Sequence, residues 1–255
     1  MHATTPWYLL PQFRPARLQD CVFWLESDSF HGGIWRNLIP NSANTSHGIA
    51  YGGVGLSTWH PQFAPALEFY AGDEYVDLPL DIVFDDEMSI EFVFNIHSYR
   101  DAARILGSSD TRGEAYVLRH WINSSGHLRF YLGNGSYIYY AGFYINWYEK
   151  THGVWTWQYD SSTNKTTLKA YKNGKYEHTN TFSGSPKMPN EWLRLSRWGS
   201  YGLDGVIYMA RFYHKVLSDE EIRYNYTHHP IYYLQHGIDP YQVITAATAA
   251  AAPSI

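Results

Sequence analysis

The sequence predicts an all-β protein: a two-sheet antiparallel jelly-roll sandwich with one short C-terminal helix and extended N- and C-terminal arms. Three observations carry this. Short segments in which apolar and polar residues alternate follow one another along the chain, as half-buried strands do. Asn173-Gly174 stands between two such segments and supplies the two φ > 0 residues of a type I′ hairpin. A single helix start is well marked, where Ser218 caps the N-terminus and Glu221 closes a capping box. About a dozen short strands and one helix fit a double-sheet jelly roll.

Taken in order, residues 1–19 form an arm rich in proline and aromatics, without a strand or helix period. The body, residues 20–226, opens on the apolar run Val22–Leu25. Strands are then expected at Ala66–Tyr70, Tyr75–Leu78, Met88–His97, Ala103–Gly107, Ala115–Ile122, His127–Leu132 and Ser136–Tyr140. Further strands are expected at Val154–Tyr159, Thr166–Lys172, Lys175–Phe182, Glu191–Ser196 and Gly205–His214. Ile90, Phe92, Phe94 and Ile96 share one face, with Ser89, Glu91, Val93 and Asn95 on the other. Leu128, Phe130 and Leu132 alternate with Arg129 and Tyr131, and Asn134-Gly135 reads as a second hairpin turn. Residues 227–255 form a second arm ending in the Ala-rich Thr245–Ala252, a low-complexity tail not expected to pack by itself.

Composition limits the function classes. Aromatic residues make up 18% of the chain and charged residues 17%, which suits broad sheets and adhesive surfaces rather than disorder. A net charge of −5, without a long basic run, lacks the footprint that nucleic-acid binding requires. The single cysteine, Cys21, cannot form an intrachain disulfide and reads as a small buried filler. Met1–Phe13 shows no basic and apolar leader pattern, so no secretory signal is visible, and no run approaches the roughly 18 apolar residues of a membrane span.

Several segments carry a family resemblance. Asn190–Tyr226 runs from an alternating strand through a Gly-rich aromatic loop and a longer strand into the helix start Leu217-Ser218-Asp219-Glu220-Glu221-Ile222. Val22-Phe23-Trp24-Leu25-Glu26-Ser27-Asp28, His47-Gly48-Ile49-Ala50, Leu67 to Pro79 and Thr167 to Gly174 precede it in order. Together they resemble the laminin-G-like, concanavalin-A-type jelly-roll family of lectins, adhesion modules, glycanases and shell proteins. The resemblance implies the concanavalin-A-like sandwich. Many members hold Ca²⁺ near the corresponding turns, so Asp73, Glu74, Asp77 and Asp204 are the candidate metal ligands here. The acidic pair that the family carries after Gly-x-Ile is replaced by Tyr208-Met209, and a Ca²⁺ site draws its 6–8 oxygens from several segments, whereas these four acids come from two loops. No cofactor other than Ca²⁺ is implied.

Catalytic patterns are missing from the sequence. Glycanases on this fold line one strand with alternating carboxylates; Asp85-Asp86-Glu87 is consecutive, and Asp219-Glu220-Glu221 belongs to the helix start. The thirteen histidines are dispersed, and there is no Gly-x-Ser-x-Gly elbow. The protein is expected not to be an enzyme.

Sugar faces stack on aromatic rings, which makes Trp198 and Tyr201 in the Gly-rich loop candidate carbohydrate-binding residues. Tyr144, Asn146 and Trp147 form a second aromatic cluster of the same kind. Five Asn-x-Ser/Thr sequons, at Asn44, Asn123, Asn134, Asn164 and Asn225, are candidate glycosylation sites and suggest an extracellular, virion or cell-surface setting. The favoured expectation is a non-catalytic structural subunit of a shell, spike or filament, whose arms reach into copies of itself. The alternative is a carbohydrate-binding module recognising surface glycans.

Overall fold

The structure is a computed structural model that describes residues 10, 13–39, 47–58, 66–70, 72–79, 85–99, 103–109, 118–187, 192–196 and 202–250. The strands begin with β1 (Cys21–Glu26), β2 (Phe30–His31), β3 (Ile34–Trp35), β4 (Gly48–Tyr51) and β5 (Gly55–Ser57). There follow β6 (Ala66–Tyr70), β7 (Tyr75–Leu78), β8 (Glu87–Ile96), β9 (Leu106–Ser109), β10 (Leu118–Ile122) and β11 (His127–Gly133). The last are β12 (Ile138–Tyr144), β13 (Lys150–Asp160), β14 (Lys165–Lys172), β15 (Lys175–Ser183), β16 (Trp192–Leu195) and β17 (Asp204–Tyr213). Helices α1 (Asp219–Thr227), α2 (Pro230–Gln235) and α3 (Pro240–Ala250) come after them.

The expected antiparallel sandwich is present. An eight-stranded sheet runs β15-β14-β13-β8-β17-β6-β5. β6 pairs with the first half of β17, and β1 pairs with the second half. The facing layer combines a six-stranded sheet, β2-β3-β4-β7-β16-β9, with a three-stranded sheet, β10-β11-β12, and β10 lies beside β9. Between the layers, Phe92, Phe94, Trp155, Trp157 and Phe212 meet Leu128, Phe130, Phe143, Leu193 and Leu195, all buried. The Asn173-Gly174 hairpin forms as expected, with φ values of 50° and 73°. At Asn134-Gly135 the turn is of another kind: only Gly135 has positive φ, and the Asn134 carboxamide accepts from the backbone of Ser136 and Tyr137.

Several strand limits shift. β12 starts two residues late, because the Asn134 turn takes up Ser136 and Tyr137, and it continues to Tyr144. β13 begins at Lys150 rather than Val154, extended by its pairing with β8. β2 to β5 are two to four residues long, too short to show a period. Residues 115–117 of an expected strand lie outside the described residues.

The described parts of the two arms do not extend away from the sandwich, contrary to expectation. Leu10 and Phe13 join a buried cluster with Trp24, Val154, Tyr171 and Ile222. The C-terminal segment folds into α2 and α3, with Ile231 fully buried and Val243 and Ile244 packed on the first cluster. Pro230 at the first helical position and His229 accepting from the Ile231 N–H start α2, while the alanines of α3 are strong helix formers. The reason for the fold-back lies in the sheet: the outer face of the eight-stranded sheet is apolar enough to require cover. β8 is therefore buried on both faces from Met88 to Ile96.

Beneath α1 that covered face holds a polar network. Glu91 accepts from the Tyr213 hydroxyl at 2.7 Å and from Asn225 at 3.1 Å, and bonds His152 Nε2 at 2.6 Å. Arg211 donates to Glu26 at 2.7 Å and lies 3.6 Å from Glu91. Burial pushes the Glu91 carboxyl up, but Arg211, His152 and Tyr213 outweigh it and hold its pKa at about 2. Cys21 lies in the same layer, where burial raises its thiol to about 12, in keeping with a filler role. At the start of α1 the capping box closes as expected, Glu221 N donating to Ser218 Oγ at 3.2 Å and Ser218 N to Glu221 Oε2 at 2.8 Å.

Candidate functional site

The site is built by alternation in three adjacent strands. Ile122, Leu128, Phe130, Leu132, Ala141 and Phe143 enter the core. The intervening residues of β10, β11 and β12 therefore share the outer face. Register sets them in rows: Arg119 opposite Tyr131 opposite Tyr140, Trp121 opposite Arg129 opposite Gly142, and His127 opposite Tyr144. Gly142 is required by close approach, since a Cβ there would stand 2.2 Å from the Leu128 carbonyl oxygen. Arg129 is thus flanked on β12 by two tyrosines and no intervening side chain.

Arg129 is the hub of this face. Its guanidinium carbon lies 4.7 Å from the centre of the Tyr140 ring and 5.8 Å from that of Trp121, within cation–π range. Nε donates to His127 Nδ1 at 3.1 Å, and one terminal nitrogen reaches the Tyr131 hydroxyl at 3.5 Å. His127 stacks on Tyr144 with centroids 4.6 Å apart, and Tyr140 lies over His178 at 6.0 Å. Tyr144 is 64% exposed, whereas Tyr131 is buried at the base. The Tyr131 bond raises the pKa of Arg129; burial, then Arg129 and His178, lower that of His127. The face is aromatic and locally positive.

A second aromatic group lies on the outer face of the six-stranded sheet. Tyr51 stacks on Tyr75 at 5.0 Å, and Arg194 lies 4.3 Å from the Tyr75 ring centre. Here the cation is neutralised, because Arg194 Nε donates to Asp77 at 2.6 Å. A cleft of about 470 Å³ opens elsewhere, between the β14–β15 hairpin and helices α1 and α2. Its Lys172 is likewise paired, with Glu149 at 3.2 Å.

Of the carbohydrate-binding residues expected from sequence, Tyr144 belongs to the aromatic face. Asn146 and Trp147 fall in the turn after β12, where Asn146 donates to Glu149 at 2.8 Å and Trp147 packs against the core. Trp198 and Tyr201 lie outside the described residues. The sequence reading missed Trp121, His127, Arg129 and Tyr140. The available signal was the repeated placing of aromatic and basic residues on the non-core phase of successive strands.

The expected metal ligands do not converge, which corrects the Ca²⁺ assignment. Asp77 is engaged by Arg194 on one sheet, and Asp204 starts β17 on the other, accepting from the Ser98 hydroxyl. Glu74 accepts from the Gly72 N–H at 2.8 Å, and Asp73 lies in the same turn. Among the described residues no three His, Cys, Asp or Glu side chains gather as a metal would need. Ser98, His97 and Asp204 lie together, but Ser98 donates to the carboxylate and His97 sits 3.9 Å from it.

The sequons separate in the same way. Asn123, Asn134 and Asn164 lie in turns, Asn164 exposed and Asn134 donating to the Ser183 carbonyl at 2.8 Å. Asn44 is outside the described residues. Asn225 is corrected: it is 2% exposed and its amide nitrogen is engaged by Glu91, so the folded protein offers no room for a glycan there.

These features coincide with family membership. Residues 71–223, more than half of the chain, match the family model of the concanavalin A-like lectin/glucanases superfamily, and the chain belongs to that superfamily. No curated protein sequence matches it. Among solved structures it is similar to domain 4 of AbnA, an extracellular arabinanase from Geobacillus stearothermophilus in complex with arabinotriose. That similarity has a TM-score of 0.63 and 14% identity, covering 80% of this chain and 97% of the other. It is also similar to the receptor-binding domain of botulinum neurotoxin D, at TM-score 0.61 and 12% identity over 83% of this chain. There it spans 53% of the other chain. Trypanosoma rangeli sialidase, in complex with the inhibitor DANA, gives a TM-score of 0.57 and 12% identity, covering 81% of this chain and 32% of the sialidase. At these identities the likeness is one of fold.

Proposed function

We propose that this chain is a non-catalytic carbohydrate-binding module acting at or outside the cell surface, and that the outer face of β10-β11-β12 is its binding face. The observation that carries this is the contiguous platform of Trp121, Tyr140, Tyr144 and His127 around Arg129. Flat rings with polar edges are suited to the apolar faces and hydroxyls of a sugar. The likeness to an arabinanase domain bound to arabinotriose and to toxin receptor-binding domains supports the same reading. The structural-subunit reading depended on free arms, and their described parts are occupied on this chain's own sandwich. The test is a glycan array followed by titration calorimetry on the best hit. Tyr144→Ala should weaken binding about tenfold, equivalent to ~1.4 kcal/mol. Retained affinity in both Tyr144→Ala and Tyr140→Ala, or no binding to any glycan, would sink the proposal.

A further inference from the structure

On the facing layer, Arg194 of one aromatic group is matched by Asp77, while Arg129 at the centre of the other has no carboxylate partner among the described residues. Arg36 and Arg223, which also lack one, are exposed to water. Arg129 is half-buried, with its planar group held by Tyr140, Trp121, His127 and the Tyr131 hydroxyl. Water is thereby partly removed from a charge that nothing in the described protein neutralises.

We infer that the ligand of this face is an anionic saccharide, whose carboxylate or sulfate is received by Arg129. The inference rests on the carbohydrate-binding reading and adds the chemical class of the sugar. A guanidinium has five N–H donors. Two are used, by His127 and Tyr131, and the pair on the second terminal nitrogen has no partner among the described residues. Those donors suit a carboxylate or sulfate, whose charge-assisted bonds to arginine are short and directional. Because Arg129 donates to His127 Nδ1, the neutral ring carries its proton on Nε2 and offers another donor beside the stacked Tyr144. Burial first, and then Arg129 and His178, lower the pKa of His127, so the ring beside Arg129 favours its neutral, donor-bearing form. The rings would then take the apolar face of the sugar, and Arg129 its acidic substituent.

The experiment is an array of sulfated, uronate-bearing and sialylated glycans printed beside their desulfated, methyl-esterified and asialo counterparts, with titration of the leading pair. The expected result is at least about tenfold preference for the acidic member, declining with added salt. R129Q should abolish the preference, and R129K should keep part of it, having charge without the fork. Lys175→Gln and Arg223→Gln, at the separate cleft, should leave it unchanged. Equal binding of both members of each pair would overturn the inference while leaving the carbohydrate reading intact. A preference that survives R129Q, or falls equally in the cleft variants, would overturn it too. Absence of binding to every glycan would overturn both.

Discussion

Asn225, on helix α1, donates its side-chain amide to the carboxylate of Glu91, in the middle of strand β8, at 3.1 Å. This bond fastens the helix to the sheet across 134 residues of sequence. The partner is charged and buried, so losing the bond costs about 1.5–3 kcal/mol. Asn225→Ala should lower unfolding free energy by that amount in urea titration, and a change under about 0.5 kcal/mol would contradict the role. In any expression host that glycosylates, peptide mass spectrometry should find Asn225 of the folded protein unmodified.

Stability should fall as the solution is acidified, in two stages. His120 is fully buried among Phe92, Phe130 and Trp155, and neither ring nitrogen has a hydrogen-bond partner among the described residues. Burial, with a smaller effect from Arg104, pushes its pKa well below 6.5; burial also lowers that of His229. Below pH 6.5 the unfolded chain therefore binds more protons than the folded one, and stability declines. Glu91 adds the second stage. Its folded pKa of about 2 lies under the ordinary 4.5, so its contribution is complete above pH 4.5 and lost as pH falls toward 2. Melting temperature measured from pH 8 to pH 3 should follow this course, and His120→Met should flatten the upper stage. A profile unchanged in His120→Met would exclude that residue as the cause.

Gly142→Ala tests the close approach of β11 and β12 on which the face is built. The added methyl carbon would meet the Leu128 carbonyl oxygen at 2.2 Å, forcing β12 away from β11. Strain of this kind costs about 1–3 kcal/mol. The melting point should drop, and glycan binding should weaken as the rows of the face lose their spacing. Normal stability in this variant would mean that the strands can separate without penalty.

Deleting residues 229–255 tests what the C-terminal segment does. It removes Ile231, buried completely against the sheet, and His229, 3.7 Å from Glu26. Loss of a buried isoleucine side chain alone costs about 2–5 kcal/mol. The truncated chain should unfold at lower temperature, with its size-exclusion volume reflecting the same number of subunits as the full chain. A change of assembly state at unaltered stability would restore the structural-subunit reading.

Much of the fold was legible because its signals are local. Ile90, Phe92, Phe94 and Ile96 alternate within one strand, and the Asn173-Gly174 turn and the Ser218–Glu221 box each lie within a few residues. The candidate site was legible only in fragments. Tyr144 stood out as one of a cluster of aromatics, grouped with Asn146 and Trp147. In the structure it closes β12 and meets His127 across the register. The acids failed as metal ligands for a similar reason: the partner of Asp77 is Arg194, 117 residues away, and no local pattern shows that pairing.

By itself, the sequence determined most of the longer strands, their core faces, the capped helix and the family, since each depends on residues a few positions apart. Tertiary structure alone decided which cation is neutralised and which is not. Arg194 and Arg129 look alike as basic residues on the outer phase of aromatic strands. Sheet register places Asp77 beside the first, and places Trp121, His127 and Gly142 beside the second. Charge balance is a property of neighbours in space, and at Arg129 the described protein leaves it to be completed from outside.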